Sequence, residues 1–311
     1  MKLPIYYDEQ KVKSAQKMFK KNYFAMMFAM YLGLVAILAI PSVLKILIYT
    51  KKSSPTVAAY KRYIQTIFHT LRWFRYDLKP GTIAWNSLET VRKMHLNASC
   101  SASSAKVGII SQKDLSITQF SFMGFAVLFR KELGIQCDNN EMEDFCHFWR
   151  VIGHLHGIKD EFNVCCSTLE ETEEKLQIIQ KEFLLPQLTN PCEAFKEYSK
   201  FIISGAQCFD ILDYYEPIIF MMKRLIGVTG YHYFESEIPP SFDRKNLKYL
   251  KLSYLDRVNL FLSIISRQFM LKICIIRWIN NFGTFVAEFF VRYFPFIAII
   301  RFGVRKAYVR I

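Results

Sequence analysis

The sequence predicts an all-α protein built as a single large helical domain. Apolar residues recur mostly at three- and four-residue spacing along the chain, which is the period of an amphipathic helix. Alternating β-branched runs bounded by turn residues, which are typical of strands, are scarce. The hydrophobic fraction of 52%, with only 12 Gly and 10 Pro in 311 residues, excludes disordered and collagen-like classes.

Nine segments carry this helical period, and most are separated by proline or glycine. The predicted helices are 12–49, 56–75, 86–97, 117–130, 140–157, 168–185, 191–204, 207–226 and 254–279. Thr168 precedes the glutamate-rich run LEETEE, and acidic side chains favour a helix start because they complement the positive end of the helix dipole. Pro41 is expected to kink or end the first segment.

Charge divides the chain into three predicted parts. Residues 1–79 carry a net charge of +11, residues 80–240 of −7 and residues 241–311 of +10, within a total of +14. The basic ends are also the most hydrophobic, which favours a membrane surface over nucleic acid as partner. We therefore expect a basic, hydrophobic N-terminal segment (1–52), a helical core (53–240) and basic, aromatic C-terminal helices (241–311).

Two hydrophobic stretches raise the question of membrane contact. Residues 23–44 are 22 uncharged residues, long enough for a transmembrane helix of ~20 residues. A buried core helix is the alternative for this stretch. Glu288 and Arg292 divide the C-terminal stretch into pieces too short to span a bilayer, so it is expected either to lie on a membrane surface or to pack against the protein.

Common catalytic motifs are missing, so the candidate chemistry comes from histidines and their neighbours. Arg62, Thr66 and His69 share one face of the predicted helix 56–75 and suit an anionic group such as a carboxylate. An exposed polar stripe is the alternative. His154 and His156 point to different sides of their helix, and we expect both to be structural.

His95 lies on an apolar face of the predicted helix 86–97. It shares this face with Leu88 and Val91, so the simplest interpretation is a core histidine. The same pattern is typical of the axial ligand in a helical haem pocket, where one imidazole binds iron and apolar neighbours seat the porphyrin. Arg92 then lies one turn before His95 and is placed to reach a haem propionate.

Four sequence stretches, in this order and spacing, resemble one known family. They are KRYIQT at 61–66, ETVRKMH at 89–95, TQFSFMGFAVLFRKELGI at 118–135 and FCHFWRVIGHLHGIKDEF at 145–162. The family includes the ER-bound oxygenase of mycophenolic acid biosynthesis and the rubber oxygenases known as latex clearing proteins. The resemblance covers roughly residues 25–230.

The resemblance implies a distantly globin-like helical core that binds haem b and cleaves carbon–carbon double bonds of isoprenoid chains with O2. It implies that His95 is the axial metal ligand and that Arg62 and Thr66 support haem binding. Gln65 stands where the rubber oxygenase has a lysine that can face the iron, which makes it the distal candidate. No residue of this chain matches a distal glutamate. The relatives also have a Gly-Leu-containing hydrophobic helix, here at Gly33, which favours a core helix.

These observations predict a membrane-associated haem b oxygenase with a lipophilic, unsaturated substrate, located at the endoplasmic reticulum or another intracellular membrane. The alternative is a membrane-associated protein that binds haem or lipid without turnover. A structural protein with several membrane spans ranks last, because only one uncharged stretch reaches the required length.

Overall fold

The computed structural model describes residues 1–210 and 214–311, in which every regular element is helical and no strand occurs. The all-α prediction is therefore confirmed. The helices are α1 Glu9–Lys21, α2 Tyr23–Ala36, α3 Pro41–Thr50, α4 Thr56–Arg75, α5 Ile83–Ser104, α6 Gln112–Leu128, α7 Asn139–His156, α8 Leu169–Ile178, α9 Leu185–Thr189, α10 Glu193–Ala206, α11 Tyr215–Ile226, α12 Tyr254–Gln268, α13 Cys274–Tyr293, α14 Phe296–Phe302 and α15 Val304–Ala307. A π-helical segment, Ile179–Leu184, connects α8 to α9.

The predicted helix 12–49 is divided into three helices. Asn22 ends α1, and the chain direction changes by 95° before α2. The Asn22 amide donates to the carbonyl groups of Met18 at 3.1 Å and Gln136 at 3.0 Å, and it accepts from the Gln136 N–H at 2.8 Å. Pro41 begins α3, where its missing N–H removes no helical hydrogen bond.

Helix α2 lies inside the protein, with twelve of its fourteen residues buried. Gly33 brings it against α6, since a Cβ atom at this position would lie 1.9 Å from the carbonyl oxygen of Ser121. The stretch 23–44 thus has the environment of a core helix. Within the described residues, no single helix is long and apolar enough to cross a membrane. Two bent pairs, α1 with α2 and α13 with α14, meet the criteria of length and composition together.

The C-terminal helices begin and end differently from the predicted segment 254–279. Helix α12 ends at Gln268, a short 3-10 turn follows, and α13 runs from Cys274 to Tyr293. One face of α13 packs on the protein body and the other is exposed. Contact of the exposed face with a membrane stays a prediction.

A buried ionic network attaches α13 to the core. The Glu288 side chain is 3% exposed and accepts hydrogen bonds from Tyr23 at 2.8 Å, from Arg75 at 2.7 Å and from Arg292 at 2.9 Å. Tyr23 belongs to α2 and Arg75 to α4, so one carboxylate holds three helices together. Burial alone would raise the pKa of Glu288, but hydrogen bonds from Arg75 and then Tyr23 and Arg292 outweigh it and leave the pKa below its ordinary value.

Helices α4, α5 and α7 meet around the predicted site residues. The cap of α5 is Thr82, whose hydroxyl accepts from the Trp85 N–H, and α7 begins with a capping box of Asp138 and Glu141. The predicted helix 207–226 begins only at Tyr215, and residues 211–213 lie outside the described residues. The globin-like comparison and the division into 1–52, 53–240 and 241–311 stay predictions.

Candidate active site

One face of α4 carries the polar residues that the sequence singled out. Arg62, Thr66, His69 and Trp73 follow each other at helical spacing, and their helix packs along α5. The Thr66 hydroxyl donates to the Arg62 carbonyl at 3.0 Å, so its hydrogen is used within the helix while its lone pairs remain free to accept. The Arg62 guanidinium makes no hydrogen bond or ion pair with any described residue.

His95 projects from α5 into the same region. Burial and, second to it, the positive charge of Arg62 lower the pKa of His95 to about 4, which places Arg62 and His95 within electrostatic reach of each other. The imidazole is therefore neutral at pH 7, as a metal ligand must be. Its Nδ1 atom is buried and has no hydrogen-bond partner in the described structure.

A third residue, His156, belongs to this site although the sequence interpretation made it structural. Its ring lies 5.9 Å from that of His95 and 5.1 Å from that of Trp73, measured between centroids. Both ring nitrogens are buried and have no partner among the described residues. Burial lowers the pKa of His156 to about 3, with further contributions from His95 and Arg92.

No spacing signal in the sequence points to His156, because it comes from α7, more than sixty residues after His95. The expectation that His154 and His156 point apart is borne out by their positions. His154 faces the surface, with its Nδ1 atom 3.9 Å from Asp160, while His156 faces α5.

His69 is held by a defined hydrogen-bond network. Its Nδ1 atom lies 2.7 Å from the Ser87 hydroxyl, which also accepts from the Trp73 indole N–H at 3.0 Å. Since the indole can only donate, the serine oxygen accepts from it and keeps its own proton available for Nδ1; when the serine donates, the imidazole proton is on Nε2. Burial lowers the pKa of His69 to about 4, with Arg72 as the second cause.

Arg92 and Gln65 are engaged elsewhere. Arg92 donates to the Leu155 carbonyl at 3.0 Å and so binds a free carbonyl at the C-terminal end of α7. The Gln65 amide donates to the Arg310 carbonyl at 3.1 Å, which directs it to the C-terminal tail. The propionate contact of Arg92 and the distal role of Gln65 stay predictions.

The described side chains contain no group of three or more His, Cys, Asp or Glu placed to hold a bare metal ion. The arrangement has instead three neutral imidazoles (His69, His95 and His156) and one unpaired guanidinium. Four buried nitrogens have no partner: Nδ1 of His95, both ring nitrogens of His156 and Nε1 of Trp149. Native proteins pair more than nine-tenths of such groups, so this concentration indicates a ligand site.

A cavity of about 450 Å³ lies on the other side of α4. Tyr60, Tyr63, Ile64 and Ile67 contribute to its wall, and none of Arg62, Thr66, His69, His95 or His156 does. On a helical wheel, this wall faces away from the polar residues of α4. The molecule thus has a histidine site and, separated from it by one helix, a hydrophobic cavity.

Comparisons with known proteins identify the fold and the family of the chain. Across 93% of its length the chain matches the structure of latex clearing protein in the closed state, covering 76% of that chain with a TM-score of 0.50 and 14% sequence identity. That match shows the fold. Comparison with curated proteins finds no significant relative. Residues 21–218 match the family described as ER-bound oxygenase mpaB/B'/Rubber oxygenase, catalytic domain. The chain belongs to this oxygenase family and is an oxidoreductase.

Proposed function

We propose that this oxygenase uses haem b to cleave carbon–carbon double bonds of a lipophilic, isoprenoid-like substrate with O2. The observation that carries the proposal is the neutral imidazole of His95, whose buried Nδ1 atom has no partner, within electrostatic reach of the unpaired guanidinium of Arg62, inside the segment that matches the family. An axial nitrogen beside a cation is the pair of groups that a haem requires, since its iron takes a basic nitrogen and its propionates take a positive charge.

The residues present fit a haem. His95 would bind the iron, and Arg62 with the Thr66 hydroxyl would receive a propionate. Bound haem b supplies the iron at which dioxygen is activated. The chain's own contribution is a dry pocket, because Trp73 is buried beside His156 and Trp149 is buried beside Trp73, so that both exclude water from the α5–α7 side.

His156 is a candidate to fix the orientation of His95. A metal-bound histidine usually donates its second ring N–H to a neighbour, which sets the tautomer and the ring plane. The Nδ1 atom of His95 lacks such a partner, and the neutral ring of His156 is its neighbour, with two nitrogens that also lack partners. Arg92 would act indirectly, by holding the Leu155 carbonyl and therefore the end of the helix that carries His156.

We also propose that the enzyme works at an intracellular membrane such as the endoplasmic reticulum. The support comes from the basic ends of the chain and from the exposed aromatic face of α13, since apolar surface flanked by basic residues binds lipid headgroups and the adjacent acyl chains. A lipophilic substrate dissolved in the bilayer would then be available to the protein.

Oxygen consumption with squalene as substrate tests this proposal. The purified protein, supplied with haem, should consume O2 and release carbonyl-terminated fragments that mass spectrometry identifies. The His95→Ala variant should lose this activity, whereas His154→Ala, which removes a surface imidazole from α7, should keep it. Oxygen uptake that is equal in wild type and His95→Ala would contradict the assignment of His95.

A further inference from the structure

The outer face of α13 is an exposed apolar surface, here called the aromatic face. Its members recur at helical spacing and have exposed fractions from 44% at Phe289 to 67% at Ile275. They are Ile275, Trp278, Phe282, Phe285, Phe289 and Tyr293. Contiguous apolar surface of this kind marks an interaction site, because water-exposed faces of stable helices are normally polar.

The 450 Å³ cavity opens at the edge of this face. Ile279 and Gly283 line the cavity and are also exposed, so they form its mouth, and Ala287 continues the same edge one turn further. Ile279 is 55% exposed and lies beside Trp278 and Phe282 on the helix. A molecule that leaves a lipid phase under the aromatic face would therefore reach the mouth without crossing water.

The cavity wall is suited to hydrocarbon. Several of its polar side chains already donate hydrogen bonds to backbone carbonyl groups of the protein. Thr284 donates to Asn280 at 2.9 Å and Asn280 donates to Ile276 at 2.8 Å. Tyr60 donates to Ala307 at 2.8 Å. The Arg267 guanidinium lies 3.5 Å from the ring centroid of Phe28. Apart from Asp210, the remaining wall is mainly aliphatic and aromatic, which is typical of a site for an apolar ligand.

The charge around the aromatic face selects a bilayer as the surface it meets. Lys272, Arg305 and Lys306 are exposed near the ends of α13 and beyond it, and residues 241–311 have a net charge of +10. Basic residues beside an apolar helix face attract anionic lipid headgroups, at about 1 kcal/mol per Lys or Arg close to the surface. A protein partner with an apolar groove would not require this excess of positive charge.

We propose that the cavity binds one apolar chain, isoprenoid or acyl, taken from a bilayer on which the aromatic face of α13 lies. The proposal rests on the proposed function, because it names where a lipophilic molecule is held after it leaves the membrane. It concerns a site separate from the histidines, since α4 stands between the two. The bound molecule is held by burial of its chain, with the mouth at Ile279 and Gly283.

The bilayer contact is tested by fluorescence quenching. Trp278 is 66% exposed, whereas Trp73, Trp85 and Trp149 are at most 4% exposed, so lipids with brominated acyl chains should quench Trp278 selectively. Vesicles of phosphatidylcholine and phosphatidylserine should quench the wild-type protein, and Trp278→Phe should lose the quenched component. Absence of quenching in the wild type would overturn the bilayer contact.

The cavity is tested with Gly283→Leu and two labelled probes, tritiated farnesol and tritiated palmitic acid. A Cβ atom at Gly283 meets no atom within 4 Å, so the substitution should leave the backbone unchanged while its side chain narrows the mouth. At least one probe should bind the wild type, with affinity reduced tenfold or more by Gly283→Leu and little changed by Gly283→Ala. The two probes distinguish an isoprenoid from an acyl chain.

A paired variant separates the two steps. The double variant Phe282→Ser/Phe285→Ser should weaken vesicle binding and leave probe binding in solution unchanged. Gly283→Leu should weaken probe binding and leave vesicle binding unchanged. Equal probe affinity in wild type and Gly283→Leu, or binding of neither probe, would overturn the cavity proposal. These measurements need no haem. If the protein binds no haem, the proposed function is wrong, but the binding of vesicles and probes can still be measured and still tests the cavity and the bilayer contact.

Discussion

The Glu288 network gives a prediction with a magnitude that follows from the structure. Glu288→Gln keeps the shape of the side chain and removes the negative charge that faces Arg75 and Arg292. Removing one partner of a buried ion pair costs about 3–5 kcal/mol, because the other charge stays buried without compensation. The Arg75 side chain is 37% exposed and regains some hydration, so we expect the lower end, about 3 kcal/mol of the free energy of unfolding.

Urea denaturation followed by circular dichroism measures this change. Glu161→Gln is the matched control, since Glu161 is 67% exposed and its ion pair with Lys159 is 3.9 Å long, so no measurable change is expected. The sign of the pH dependence is also fixed: the folded-state pKa of Glu288 is lowered, so its stabilisation is present above about pH 4.3 and is lost as the pH falls through the folded-state value. A Glu288→Gln variant as stable as wild type would refute this reasoning.

Three further predictions concern packing and the histidine site. Gly33→Ala should prevent accumulation of folded protein, because its Cβ would lie 1.9 Å from the Ser121 carbonyl oxygen, whereas Gly283→Ala should not; circular dichroism of both variants checks this. His156→Leu should raise the free energy of unfolding of the haem-free protein by about 1–3 kcal/mol, seen as a higher urea midpoint, because it removes two buried nitrogens without partners; a loss of stability would show that His156 has a structural role. Lowering the pH from 7.5 to 5 should destabilise the haem-free protein by up to about 2 kcal/mol per histidine for His69, His95 and His156, since unfolding lets each bind a proton below about pH 6.5. A urea midpoint that does not change over this range would contradict the lowered pKa values.

The fold class could be predicted from the sequence because helical periodicity is a local property. The break between α1 and α2 at Asn22 and the break between α12 and α13 could not be predicted in this way. Asn22 ends α1 by bonding the backbone of Gln136, and no local signal identifies a partner 114 residues away. Pro41 acts within its own turn, so its effect on the chain was predictable.

The candidate site was partly predictable for the same reason. Arg62 and Thr66 share a helix, so spacing alone places them on one face, and the family resemblance adds His95. His156 reaches the site only through the packing of α7 against α5, and its unsatisfied nitrogens become evident only in three dimensions. The separation of the cavity from the histidines by α4 is likewise a property of tertiary packing.

The absorption spectrum of the purified protein after haem reconstitution tests the central claim most directly. The account predicts a Soret band in the wild type and in His154→Ala, and its loss or marked weakening in His95→Ala at unchanged helicity. A wild-type protein that shows no Soret band, or a His95→Ala variant that binds haem as the wild type does, would contradict it.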